Sequence, residues 1–141
     1  MDRRYEKDQR KVSDALLNVI KYFPKNAHPM DAIRTCVSFI GMEDERIWDN
    51  TTATTKDKFI RLLAKIPVAI AYNYRIQNGL NVIEPDAKLS ISENFFYMCF
   101  GKVPDTEIVK AFDVSLILYA EHSFNASTFT TRVITSTESD Y

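Results

Sequence analysis

Apolar residues recur at helical spacing along most of this chain, and the breaks in that pattern fall at proline, glycine or capping residues. From about Asp2 to Phe23, the positions Val12, Ala15, Leu16, Val19, Ile20 and Phe23 predict one helix ended by Pro24. Its first turns are almost wholly charged, so they are expected to project into solvent or to pack on something outside the chain. A second helix is predicted after His28-Pro29, because proline suits the first helical turn and His28 can cap it. Met30, Ile33, Cys36, Val37 and Ile40 would form its inward face, and Gly41 would stop it.

Residues 42–52 are polar and aperiodic, which predicts a loop around Trp48. A long helix is predicted over about Thr54 to Asn78, with Phe59, Leu62, Leu63, Ile66, Ile70 and Tyr74 inward. Pro67 in its middle predicts a kink or a tightly packed break. Asn78-Gly79 ends it, and a connecting loop follows. Ser90 and Glu93 have capping-box spacing ahead of a short buried helix that ends at Gly101. Pro104-Asp105 opens another helix, with Ile108, Ala111, Phe112, Ser115 and Tyr119 on one stripe and Leu116 and Leu118 elsewhere. Apolar positions on several sides predict a central helix. The last segment is divided: its Thr, Val and Ile content favours a strand. The spacing of Ala126, Phe129, Val133 and Ile134 behind Asn125, a good N-cap, favours a helix.

Composition narrows the function classes. The chain has 141 residues, enough for one modest domain, and at 45% hydrophobic and 26% charged it can build a real core. A net charge of −1 gives no electrostatic footprint for nucleic acid, and the basic pairs Arg3-Arg4 and Arg10-Lys11 are expected on a solvated helix face. No apolar run approaches the ~20 residues of a membrane span, and the charged N-terminus lacks the apolar stretch of a signal peptide. Cys36 and Cys99 lie in apolar patterns, as reduced core cysteines of a cytosol-like compartment would. Two isolated histidines and no Cys/His pair make no metal-ligand set.

The densest group of directional polar side chains lies between Leu116 and Arg132. There the run Leu116-Ile117-Leu118 leads to Glu121, His122 and Asn125, then to Ser127, Thr128, Thr130, Thr131 and Arg132. An imidazole, a carboxamide, hydroxyls and a guanidinium at this spacing can bind a small oxyanion. A satisfied core histidine beside a helix cap would use the same residues. For His28 the structural role of cap is favoured, and Arg132 is better read as a helix-surface or subunit-interface residue than as a carboxylate ligand.

Four blocks resemble the citrate synthase family, which includes the 2-methylcitrate synthases: PKNAHPMDAIRTCVS at 24–38, LLAKIPVAIAYNYR at 62–75, ENFFYMCFGKVPD at 93–105 and FDVSLILYAEHSFNASTFTTRVITST at 112–137. The resemblance implies an all-α fold, a multi-helical orthogonal bundle that forms part of the family's large domain. The whole of 1–141 would be a partial large domain, without the small domain and the catalytic C-terminal half. It decides the last segment for helix. It also implies a cytoplasmic homodimer acting on oxaloacetate and an acyl-CoA, with acetyl-CoA as substrate and no cofactor. By the same resemblance the Pro67 helix would pack on the dimer mate, while its apolar stripe alone fits an intramolecular core helix equally well.

In that family a carboxylate removes the thioester α-proton while donors stabilise the enolising oxygen and polarise the ketone. The histidines and the later aspartate that do this have no counterpart here, so no catalytic residue is assigned and Glu121 is not the base. The resemblance does carry over the element His-x-x-Asn-x-Ser. His122 and Asn125 would contact oxaloacetate, and Ser127 would steady a catalytic histidine outside this chain. Relatives often have histidine three residues before His122; here it is Tyr119. The expectation is that the 141 residues alone are inactive.

Overall fold

The computed structural model describes residues 3–120, 123 and 125–137. Among them are seven helices and no strand: α1 (Arg3–Asp8), α2 (Asp14–Lys21), α3 (Pro29–Met42), α4 (Thr52–Gln77), α5 (Ile91–Phe100), α6 (Thr106–Tyr119) and α7 (Ala126–Thr135). None is long and apolar enough to cross a membrane. The divided final segment is helical, and Asn125 caps it.

Helix α4 is the axis. Helices α1, α2, α3 and α5 all pack on it, while α6 packs on α5 alone and α7 on none of the other described helices. The core is formed by Leu16 and Ile20 of α2, Cys36 and Ile40 of α3, Val68, Ala69, Ala71 and Tyr72 of α4, and Met98 and Cys99 of α5. Ala64, Ala69 and Ala71 of α4 are buried small residues.

That arrangement corrects the expected inward stripe. Phe59 is 60% exposed and Tyr74 is 39% exposed, while Lys58, Ala64, Val68 and Tyr72 are buried. The buried positions, with Ala69 and Ala71, share one broad face of α4, and the predicted stripe lies largely on the opposite face, where Leu62, Leu63, Ile66 and Ile70 are half-buried. Lys58 is accommodated because its ammonium donates to the carbonyls of Ile47 and Asp49 at 2.5 and 3.1 Å, fastening the loop at 43–51 to α4. The helix runs through Pro67 without interruption.

The N-terminus is a second correction. The predicted single helix is two, and Ser13 caps the second by accepting the Leu16 N–H. The charged turns are only partly solvated: Arg4, Asp8 and Lys11 are exposed, but Glu6 and Arg10 are 4% and 3% exposed. The Arg10 guanidinium grips Glu6 through Nε at 2.8 Å and Nη2 at 3.0 Å, and gives Nη1 to the carbonyls of Asp86 and Leu89 at 3.1 and 3.0 Å. The segment between Asn78 and Ser90 is therefore no free connector. The Tyr72 hydroxyl meets Glu84, the Asn94 carboxamide oxygen takes the Asp86 N–H at 2.8 Å, and Arg75 donates to the carbonyl of Asn81.

Other boundaries agree with the sequence or shift slightly. The Nδ1 of His28 accepts the Met30 N–H at 3.2 Å, as a structural cap should. Gly41 does not stop α3, which continues through Met42, and the buried face of α3 is Ala32, Cys36 and Ile40 with Met30 exposed. Gly79 and Gly101 take φ values of +71° and +78°, the left-handed turns that end α4 and α5. Both halves of the Ser90–Glu93 capping box are present. Helix α6 is not central: none of its residues is buried among the described part of the chain.

Candidate functional site

The site begins where α6 ends, so what holds α6 matters first. Phe112 stacks on Phe95 at a centroid distance of 5.6 Å and meets Phe96 edge-on at 5.1 Å. One residue on, the Asp113 carboxylate accepts a short hydrogen bond from the fully buried Ser92 hydroxyl. A greasy clamp and a charge-assisted hydrogen bond thus fix α6 on α5. Neither anchor stands out in the sequence. Ser92 is legible there only as a spacer inside the capping box, and Phe112 only as one member of an apolar stripe.

Beyond Tyr119, which is 86% exposed, the chain turns with Ser123 at φ 55°. Such a left-handed serine is uncommon. His122 and Glu121 lie outside the described residues. Asn125 is described and has the predicted capping role. Its side-chain oxygen accepts the N–H groups of Ser127 and Thr128 at 2.7 and 3.1 Å, and its carbonyl accepts that of Phe129 at 3.0 Å. Ser127 follows on the first turn, exposed.

Helix α7 has two unlike sides. Ser127, Thr128, Thr131, Arg132 and Thr135 line a shallow open shelf. Phe129, Val133 and Ile134 are the apolar members, each about half exposed or more. The hydroxyls of Thr130 and Thr131 give their protons to the carbonyls of Ala126 and Ser127 at 2.9 and 2.8 Å. With those protons committed and two amides of the first turn taken by Asn125, positive charge on the shelf comes from Arg132. The structure therefore brings Asn125, Ser127 and Arg132 onto two successive turns, with Asn125 holding the turn that follows His122.

The two cysteines are remote from this region, buried and unpaired. Burial pushes each thiol up to about 11, which suits inert core residues rather than nucleophiles. Cys36 also lines a small apolar cavity of about 30 Å³ between α3 and α4, too small for more than a water-sized occupant.

Comparison with known proteins adds an independent line. The family model for citrate synthase, C-terminal domain, matches residues 2–141. A 2-methylcitrate synthase of Mycobacterium tuberculosis is 44% identical over 135 residues, 96% of this chain and 34% of that protein. A citrate synthase of Mycolicibacterium smegmatis is 42% identical over 135 residues, 96% of this chain and 36% of its own length. The crystal structure of citrate synthase from Pyrobaculum aerophilum superposes with a TM-score of 0.85 at 35% identity, over 98% of this chain and 37% of that one. The chain thus spans about a third of the length of the curated relatives it matches. On a match that runs from residue 2 to residue 141 and a shared all-helical fold, the chain belongs to the citrate synthase family.

Proposed function

We propose that this chain supplies the oxaloacetate-contacting part of a citrate synthase-type acyltransferase, which condenses acetyl-CoA with oxaloacetate to give citrate and CoA. The observation that carries the reading is the His-x-x-Asn-x-Ser element at the head of α7, inside a family match that runs the length of the chain. His122 and Asn125 would contact oxaloacetate, and Ser127 would orient a catalytic histidine supplied from outside 1–141. The role of Asn125 as the cap of α7 supports this, because a residue locked by two backbone N–H groups is held ready for a ligand. Condensation needs the methyl proton removed and the ketone polarised at once. In this chain no residue is assigned to either step, so the 141 residues by themselves are expected to be inactive. The active form would be a cytoplasmic homodimer with no cofactor.

Relatives named 2-methylcitrate synthase and citrate synthase match at 44% and 42% identity, so propionyl-CoA stands beside acetyl-CoA as an acyl donor. A non-catalytic helical partner derived from the family is the reading from a different class. The test is release of CoA thiol from acetyl-CoA or propionyl-CoA with oxaloacetate. The chain alone should release none. Completed with the rest of a family subunit it should release thiol, and Asn125→Ala should then raise the KM for oxaloacetate. Thiol release by the isolated chain would defeat the assignment of roles, and a completed protein that binds no oxaloacetate would favour the non-catalytic partner.

A further inference from the structure

Three cations share one face of α4. Lys58, Arg61 and Lys65 lie within about a sixth of a helical turn of one another, and the segment from Glu43 to Asp49 meets them in reverse order. Lys58 is buried and donates to the carbonyls of Ile47 and Asp49. Arg61 pairs with the buried Asp44 carboxylate at 3.0 Å. Lys65, the third, is placed differently. It is half-buried, and its helix neighbours Ala64, Val68 and Ala69 are buried. Among the described residues its ammonium donates no hydrogen bond and closes no ion pair. The charged groups that act on it are Glu43, Arg61 and Asp44. Both carboxylates are committed elsewhere: Glu43 accepts the Ser13 hydroxyl at 2.5 Å, and Asp44 accepts from Arg61 and from the Arg46 N–H.

An amine so placed differs from a surface lysine. Burial opposes its charged form most strongly, and the Arg61 guanidinium adds to that, while Glu43 and Asp44 pull the other way; the ammonium sheds its proton below the ordinary lysine range. Desolvation beside a second cation is how proteins turn a lysine into a nucleophile. The nitrogen is not sealed off. Gln77 Oε1 is the fully buried side-chain polar atom without a partner among the described residues. The partnerless Lys65 nitrogen therefore keeps contact with solvent, where an acyl donor can reach it.

We propose that Lys65 is a modification site whose Nζ accepts the acyl group of a small acyl thioester without a second enzyme. The amine lone pair attacks the thioester carbonyl and forms the C–N bond of an amide. The C–S bond breaks, and the coenzyme leaves as thiolate, which takes up the proton shed by the nitrogen. The choice of donor rests on the functional reading above, but the transfer needs neither oxaloacetate nor the rest of a subunit, so the two can fail separately. The experiment is incubation of the 141-residue chain with acetyl-CoA at a series of pH values, with acylation at each lysine followed by peptide mass spectrometry. Lys56, exposed on the same helix, and Lys102, exposed after α5, are the internal references. Lys65 should be acylated at least about fivefold faster than either near neutral pH, and its rate should level off at a lower pH than theirs. Lys65→Arg should remove that label and leave the references unchanged. Trace acetic anhydride, a donor with no coenzyme, should give the same ranking, since the preference lies in the amine. A rate at Lys65 no higher than at the references overturns the proposal. So does a preference seen with the anhydride and absent with acetyl-CoA, because the amine would then be closed to thioesters. A labelled Lys65 in a chain that binds no oxaloacetate once completed would leave this inference standing and defeat only the functional reading.

Discussion

Replacing Arg10 tests whether the N-terminal helix is part of the body or an ornament on it. In Arg10→Ala the Glu6 carboxylate, 5% exposed, loses both of its guanidinium contacts. The carbonyls of Asp86 and Leu89 lose their donor at the same time. Removing one partner of a buried ion pair costs about 3–5 kcal/mol, because the other charge is left without compensation. There is an escape: α1 has six residues and packs only on α4, so it can undock and return Glu6 to water. The measured loss is then the smaller of the burial penalty and the free energy that docks α1. Urea unfolding followed at 222 nm reads the global part. With a slope of about 1–3 kcal/mol per M, a 3 kcal/mol loss moves the midpoint down by about 1–3 M. Amide exchange over 86–91 reads the local part and should accelerate even if the midpoint moves less. The double variant Glu6→Leu/Arg10→Met should be more stable than Arg10→Met alone, since it leaves no buried charge behind. A midpoint within experimental error of the parent, with unchanged exchange at 86–91, would refute the claim that Arg10 ties α1 to the loop.

Other expectations follow from single contacts. Ser90→Ala should cost about 1 kcal/mol, the usual loss for an N-cap oxygen, seen as a lower thermal midpoint. Glu93 is held below its ordinary pKa, first by the Ser90 backbone N–H and then by its hydroxyl. Its stabilisation is thus complete above about pH 4.5 and fades as pH falls through the lowered value, so Glu93→Gln should flatten the acid limb of a pH–stability profile. Cys36 and Cys99 move the other way, from 9.0 to about 11 through burial. Their contribution is present below pH 9 and lost as pH rises toward 11, at roughly 1.4 kcal/mol for each pH unit crossed. Cys99→Ala should lower stability at neutral pH and lose less between pH 9 and 11 than the parent. Asn125→Ala should unwind the first turn of α7, measured as faster exchange at Ser127 and Thr128. A ten-residue helix packed on no other described helix has little besides its cap to hold it.

The sequence was most legible where one residue type has one local use. His28 before Pro29, the Ser90–Glu93 box, Asn78-Gly79 and Asn125 all terminate helices as their chemistry requires. It was least legible where burial depends on residues far along the chain. Nothing near Arg10 reveals that its acceptors are Asp86 and Leu89, 76 and 79 residues away. Local pattern therefore assigned a buried ion pair to solvent. The error at α4 has the same origin. Alternating Ala with Leu and Ile, as in 62–71, looks like one good stripe with weak positions between, yet Ala64, Ala69 and Ala71 are buried while Leu62, Leu63, Ile66 and Ile70 are only half-buried.

The misreading of α6 carries the most information, because the pattern there was strong and the structure contradicts it. Apolar residues on several sides predict a central helix, and α6 is at the edge with Ile117 and Leu118 exposed. Local sequence encodes the environment a segment is built for. The described residues do not supply that environment, and the chain spans about a third of the length of the curated relatives it matches. Asn125 and Ser127 are ordered on α7 by their own hydrogen bonds, while the groups that would act with them on oxaloacetate are expected outside the chain. On the proposed function, such a half-site would gain its chemistry only beside those groups. Substitutions at Asn125 should then raise the KM for oxaloacetate of the completed enzyme. An Asn125→Ala variant whose KM for oxaloacetate is unchanged would refute a substrate-contacting role for Asn125.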